Sequence, residues 1–183
     1  DQANIKTGEN ILEVAVGPGL TIVELAKRAG KETIIYGIDT STGMLSLAEQ
    51  NLLSHGFSNF QLKEADSRQL PFEDNTFDFL YNGYMLDLIP EQDMPKILSE
   101  FHRVLKPGGR MILLNMSKID KSAKTSRETL YSILPAKFML YILGGCRPVL
   151  MEGMVNDTHF ENISRTYLDG KFPSEIVKAT KPH

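Results

Sequence analysis

The hydrophobic and polar positions of the chain switch between a two-residue period and a helical period. Strand-like runs, of which the first at residues 11–16 is rich in β-branched residues, predict strands at 11–16, 33–39, 60–66, 77–86 and 110–117. Apolar side chains at helical spacing predict helices at residues 20–30, 41–56 and 93–106. Alternation of this kind predicts an α/β protein whose parallel strands are joined by right-handed crossovers.

The third predicted helix has the clearest apolar stripe. Its members are Ile97, Leu98, Phe101, Val104 and Leu105. The sequence Pro107-Gly108-Gly109 follows and predicts the end of the helix, because proline and glycine do not continue one.

The pattern changes after the fifth strand. Residues 121–143 predict a helical insertion interrupted at Pro135, and residues 149–155 predict a second short helix. Two strand-like runs, at 159–168 and 175–181, are separated by a loop with glycine and proline turn signals, which predicts a hairpin. We expect one domain over residues 1–183, with a helical insertion at 121–155 covering one side of it. The chain starts without methionine and reaches its first strand within about ten residues, so we expect an N-terminal segment to be missing.

Composition narrows the class of protein. The 183 residues are 42% hydrophobic and 23% charged, which is typical of a globular protein, and the net charge of -3 argues against nucleic acid as a partner. The single cysteine, Cys146, excludes an internal disulfide and favours a cytoplasmic location. The four histidines are far apart, so no metal site is predicted. No segment is apolar over the length of a bilayer, although peripheral contact with a membrane is left open.

The candidate chemistry begins at "ILEVAVGPGL", where the first strand runs into a glycine turn and then a helix. Such a turn lets the backbone approach a ligand closely. A dinucleotide-binding turn would have a third glycine where this chain has Ile22. Counted backwards from the turn, Glu13, Ala15, Gly17 and Gly19 occupy alternate positions. Asp39, at the end of the second strand, can accept hydrogen bonds from the two hydroxyls of a ribose. A dinucleotide and other adenosine-containing cofactors both present this diol, so Asp39 alone does not identify the cofactor.

An acid followed by alternating small residues resembles motif I of the class I S-adenosylmethionine (SAM) dependent methyltransferases. Ala15 stands where that motif has its first glycine; a methyl group fits there if the backbone φ is negative. The resemblance continues through "ADSRQLPF", "FDFLYNGYMLDLIPEQD" and "RVLKPGG" and covers nearly the whole chain. "LLNMSK" and the insertion after it loosely resemble the ubiquinone and menaquinone biosynthesis methyltransferases.

The resemblance implies a seven-stranded, mostly parallel Rossmann-like sheet with helices on both faces, a C-terminal antiparallel hairpin and a helical insertion between strands 5 and 6. It implies SAM as the cofactor and S-adenosylhomocysteine as the product. The residues implied in cofactor binding are Glu13, Ala15, Gly17, Gly19, Asp39, Thr40, Met44, Ala65, Asp66, Ser67, Asn82 and Gly83. Within this set Glu13 faces the SAM ammonium, Asp39 the ribose and Asp66 the adenine amino group.

The expected reaction is displacement at the sulfonium methyl by a small, partly apolar acceptor, such as a quinol, a phenol or an amine. The residues expected to bind the acceptor are Tyr84, Met85, Tyr131 and Arg147. No general base is identifiable, and Tyr84 and Asp87 are candidates because they follow the fourth strand. Two alternatives stay open: a SAM-binding protein without turnover, and an oxidoreductase with a nucleotide cofactor. The oligomeric state is not predicted.

Overall fold

The computed structural model describes residues 3–117, 147–170 and 172–183. Its strands form one seven-stranded sheet with the order β3-β2-β1-β4-β5-β7-β6. The strands are β1 (Ile11–Val14), β2 (Ile35–Asp39), β3 (Phe60–Glu64), β4 (Phe77–Gly83), β5 (Leu105–Met116), β6 (Glu161–Leu168) and β7 (Ser174–Thr180).

The first five strands are parallel, and the last two form an antiparallel hairpin on β5. β1 lies between β2 and β4, so the crossovers diverge at this point of the sheet. The predicted mostly parallel sheet with a C-terminal hairpin is therefore confirmed. Its carboxyl edge holds the ends of β1, β2, β3 and β4 side by side, which brings residues from distant parts of the sequence together.

Helices cover both faces of the sheet. They are α1 (Leu20–Ala29), α2 (Thr42–Ser54), α3 (Met94–Val104) and α4 (Met151–Asn156). Buried side chains of α1 and α2, such as Ile22 and Ala48, pack on Phe79 of β4 on one face. Phe101 of α3 and Val155 of α4 belong to the cluster on the other face.

The predicted helical position of Leu105 is wrong. The helix ends at Val104, and Leu105 has an extended backbone and opens β5. The residue before proline is disfavoured in the α conformation, so Pro107 constrains Lys106 and the chain leaves the helix early. The pairing of β5 with β4 then shifts register, from Phe77 opposite Leu105 to Phe79 opposite Arg110.

Other boundaries differ by a few residues. β1 ends before Ala15 and β4 ends before Tyr84, because both residues have positive φ and leave the sheet. The short helix predicted at 149–155 is α4, which runs from Met151 to Asn156. Most of the predicted insertion, including Pro135, lies outside the described residues.

Candidate functional site

Two adjoining cavities lie at the carboxyl ends of the parallel strands. The smaller, of about 320 Å³, is lined by Asp66 and Ser67 and is named here the Asp66 cavity. The larger, of about 560 Å³, is lined by Glu13 and Tyr81 and is named the Tyr81 cavity. The residues that line both are Ala15, Asp39, Thr40, Met85 and Ile89. Open α/β sheets bind ligands at this edge, so the two cavities form the candidate site.

The turn between β1 and α1 contains two glycines with positive φ, of 52° at Gly17 and 88° at Gly19. Gly17 lines the Tyr81 cavity, and a Cβ there would meet no atom of a described residue within 4 Å. Gly19 lies outside the described linings of both cavities, and a Cβ there would come within 2.6 Å of the Ala48 Cα. Gly17 therefore opens backbone to a ligand, whereas Gly19 lets the turn pack closely against α2.

Ala15 has a φ of 60°, so the condition that would let its methyl group fit without strain is not met. A left-handed backbone costs a non-glycine residue about 1–2 kcal/mol. The rest of the fold holds Ala15 in this conformation, at a point where it lines both cavities. Strained backbone of this kind is concentrated at ligand sites.

Asp39 ends β2 and holds the glycine turn. Its carboxylate accepts hydrogen bonds from the Gly17 backbone N–H at 3.0 Å and from the Ser41 backbone N–H at 2.9 Å. Asp39 and its neighbour Thr40 line both cavities. Each carboxylate oxygen can accept more than one hydrogen bond, so Asp39 can hold the turn and still receive ligand hydroxyls.

Asp66 follows β3 and is paired with Arg68. The guanidinium donates to the Asp66 carboxylate from Nη2 at 2.6 Å and from Nε at 3.0 Å, and also reaches Asp93 at 3.2 Å. The side-chain hydrogen bond from Arg68 lowers the pKa of Asp66, so the carboxylate is an acceptor at neutral pH. Ala65, Ser67 and Arg68 line the same cavity.

Glu13 is a buried acid at the base of the Tyr81 cavity. It is 3% exposed, and its Oε2 atom has no hydrogen-bond partner among the described residues. Burial raises the pKa of Glu13 well above its ordinary value, because the charged form loses its hydration. A cationic ligand group placed in this cavity would compensate for that loss.

Asn82 and Gly83 end β4 and differ in their surroundings. Asn82 is fully buried and its amide donates to the Val14 carbonyl at 2.9 Å, so its side chain joins β4 to β1. Gly83 lines the Tyr81 cavity, as does Met44 from the first turn of α2.

The two candidate bases lie in different environments. Tyr84 lines the Tyr81 cavity, has a φ of 52°, and its hydroxyl is hydrogen-bonded to the Ser174 hydroxyl at 3.1 Å. Asp87 is completely buried, and its carboxylate accepts a hydrogen bond from the Met116 N–H at 3.3 Å. The structure therefore brings Tyr84 to the cavity, and Asp87 lies outside both described linings.

Arg147 lies beside the turn that follows β4. Its backbone N–H donates to the Asp87 carbonyl at 3.0 Å, and its guanidinium donates to the Ile89 carbonyl. Ile89 and Met85 line both cavities. Arg147 therefore contacts a residue of the site, Ile89, but lies outside the described linings of both cavities. Tyr131 and Cys146 lie outside the described residues.

Sequence reasoning missed Tyr81, although its position in the strand could have indicated it. Tyr81 pairs with Glu13 across β1 and β4, and side chains at paired positions of parallel strands share a face. Burial, together with the charge of Glu13, raises the pKa of Tyr81 to about 12. The side chain of Thr21 acts in the opposite direction and lowers this pKa. Tyr81 is therefore a neutral hydroxyl at physiological pH.

Two other features, a metal centre and a membrane-spanning helix, are absent from the described residues. In residues 3–117, 147–170 and 172–183, no group of three or more His, Cys, Asp or Glu side chains is placed to hold a metal ion. Within the same ranges, no helix has both the length and the apolar character needed to span a membrane.

Comparison with known proteins gives a family match. A family model described as "Methyltransferase domain" matches residues 11–109. The chain is 36% identical over 138 residues to demethylmenaquinone methyltransferase of Bacillus subtilis. The aligned segment covers 75% of this chain and 54% of that protein. It is 35% identical over 136 residues to the ubiquinone/menaquinone biosynthesis C-methyltransferase UbiE of Teredinibacter turnerae, covering 73% and 54%. The chain thus spans about half the length of the curated relatives it matches.

The fold is also similar to that of solved structures. The crystal structure of a SAM dependent methyltransferase from Aquifex aeolicus matches with a TM-score of 0.68 and 20% sequence identity. The match covers 98% of this chain and 85% of that one, which includes the hairpin of β6 and β7.

Proposed function

The chain belongs to the methyltransferase domain family, and on that premise we propose that it transfers a methyl group from SAM to a small, partly apolar acceptor. The observation that carries the proposal is the placement of three acids. Glu13, Asp39 and Asp66 come from or follow three parallel strands and line two connected cavities. SAM presents an ammonium, a ribose diol and an adenine amino group, so three separated acceptors fit it.

Each acid has a distinct assignment in this proposal. Asp66 accepts from the adenine amino group in the Asp66 cavity, beside Ala65 and Ser67. Asp39 accepts from the ribose hydroxyls and keeps Gly17 in place through its own hydrogen bond. Glu13 receives the ammonium, which supplies the partner that its Oε2 atom lacks among the described residues.

The chain's part in the reaction is placement. When bound, SAM supplies a methyl group already activated on a sulfonium. The protein's residues hold the nucleoside and amino-acid parts at fixed points, and orientation of two reactants is worth about 7–11 kcal/mol in well-ordered systems. Exclusion of water by the apolar walls of the Tyr81 cavity favours a step in which charge is neutralised. Tyr84 directly follows β4 and lines this cavity. It is therefore a candidate for contact with the acceptor.

The acceptor proposal rests on the lining of the Tyr81 cavity and on the relatives. Leu20, Leu88, Ile89 and Leu114 line this cavity, and Leu20 is 70% exposed at its rim. An apolar ring would bury these side chains. The two relatives are named demethylmenaquinone methyltransferase and ubiquinone/menaquinone biosynthesis C-methyltransferase. A quinol or phenol is therefore the first acceptor class to test, with an amine as the second. We place the reaction in the cytoplasm and assign nucleic acid no part in it.

Transfer of a labelled methyl group tests the proposal. The purified chain is incubated with methyl-labelled SAM and panels of quinols, phenols and amines, and labelled products are separated by chromatography. Label should appear in at least one panel, and at SAM concentrations below the dissociation constant the labelled product should fall about ten- to a hundredfold in Asp39→Ala, which removes the ribose acceptor. Binding of SAM without transfer to any panel would support a SAM-binding protein without turnover and overturn the enzymatic proposal.

A further inference from the structure

The Tyr81 hydroxyl lies in the cavity beside the buried acid. Tyr81 and Glu13 are paired in the register of β4 and β1, so their side chains leave the sheet on the same face. Both line the Tyr81 cavity together with Thr21, whose side chain lowers the pKa of the Tyr81 hydroxyl. Two hydroxyls and one carboxyl group therefore share one wall.

Gly83 allows the Tyr81 ring to lie over the end of β4. A Cβ at Gly83 would be 2.6 Å from the Tyr81 hydroxyl oxygen, so any larger residue would displace the phenol. The hydroxyl is consequently held close to the backbone at the end of the strand.

The described lining of the Tyr81 cavity has an acid for the ammonium of an amino-acid ligand but no cationic side chain for its carboxylate. An α-amino acid group carries a carboxylate as well as an ammonium, and Glu13 can neutralise only the ammonium. Among the described residues that line the Tyr81 cavity there is no Lys, Arg or His. A carboxylate bound here would depend on neutral donors. The hydroxyls of Tyr81 and Thr21 are such donors, and the first turn of α1, which begins at Leu20, adds N–H groups without intrahelical partners.

We propose that Tyr81 and Thr21 bind the carboxylate of the amino-acid part of SAM, opposite the ammonium held by Glu13. The proposal rests on the proposed function and adds to it the residues that recognise the amino-acid end of the cofactor. Because the Tyr81 hydroxyl stays protonated at neutral pH, it can donate to a carboxylate throughout that range.

Comparison of SAM with decarboxylated SAM tests this assignment. Both ligands carry the nucleoside, the sulfonium and an ammonium, but only SAM carries the carboxylate. In Tyr81→Phe, the dissociation constant for SAM should rise about tenfold or more, as expected for loss of a hydrogen bond to a charged group. The dissociation constant for decarboxylated SAM should stay within about twofold of the wild-type value. Thr21→Val, which keeps the side-chain shape, should show the same selectivity with a smaller loss.

Tyr36→Phe is the matched control, because Tyr36 packs against Phe72 and Phe77 and lies outside the linings of both cavities. It should bind both ligands as the wild type does. Equal weakening of both ligands in Tyr81→Phe, with an unchanged melting temperature, would mean that Tyr81 acts through Glu13 or through packing and would overturn the proposal. Unchanged binding of both would overturn it as well. Failure of the wild-type chain to bind SAM is a different result, which overturns the proposed function.

Discussion

Replacement of Asp39 by alanine separates the ribose assignment from a purely structural one. The Asp39 carboxylate accepts hydrogen bonds from Gly17 and Ser41 and lines both cavities. Loss of its hydrogen bonds to a ribose diol should cost about 1.5–3 kcal/mol of binding free energy, which is about ten- to a hundredfold in Kd. Loss of the two backbone contacts should lower the free energy of unfolding by about 1–2 kcal/mol.

Calorimetric titration with S-adenosylhomocysteine gives the Kd, and urea denaturation gives the free energy of unfolding. Asp39→Asn keeps one acceptor oxygen and should weaken binding less than Asp39→Ala. Glu64→Ala is the matched control, because Glu64 pairs with Asp39 in the sheet but is exposed and lies outside the described linings of both cavities. An Asp39→Ala protein that loses stability but binds S-adenosylhomocysteine as tightly as the wild type would refute the ribose assignment.

Three further predictions concern strain, pH and the acceptor side. In Ala15→Gly, relief of about 1–2 kcal/mol of left-handed strain exceeds the roughly 0.5–1 kcal/mol entropic cost of glycine, so urea denaturation should show a more stable protein, and a less stable one would contradict the strain. Burial raises the pKa of Glu13 in the folded state, so its contribution to stability is present below the ordinary value of 4.5 and is lost as pH rises through the folded pKa. The melting temperature of Glu13→Gln relative to wild type should therefore rise over that range, and a pH-independent difference would argue against the raised pKa. Arg147→Ala should lower kcat/KM for the acceptor about tenfold with an unchanged Kd for S-adenosylhomocysteine, whereas a lower melting temperature with intact turnover would leave Arg147 a purely structural contact to Ile89.

The sheet could be predicted from the sequence because its central strands have apolar runs and are separated by segments with helical spacing. β2 and β4 are buried on both faces, and the apolar stripe of α3 from Ile97 to Val104 is buried as its spacing indicates. The apolar stripe could not show that Leu105 belongs to β5 and not to the helix. An apolar residue fits either element, and the choice depends on Pro107 and on pairing with β4.

The acids of the site were predictable because strand ends are visible in the sequence, and three of them line the cavities. The backbone conformation of the site was not predictable from the sequence. The positive φ of Ala15 and the packing of Gly19 against α2 depend on contacts between distant segments. The burial of Asp87 is also a tertiary effect, since its carboxylate is held by the backbone of β5. Tyr81 was missed because an aromatic residue in a strand is ordinarily part of the core.

The most direct test of the central claim is calorimetric titration of the wild-type chain with S-adenosylhomocysteine and, separately, with NADH. Both ligands carry an adenosine, but only S-adenosylhomocysteine carries the amino-acid group that Glu13 is placed to receive. We expect saturable binding of S-adenosylhomocysteine with one site per chain and no binding of NADH. Binding of NADH without binding of S-adenosylhomocysteine would contradict it and support the oxidoreductase alternative.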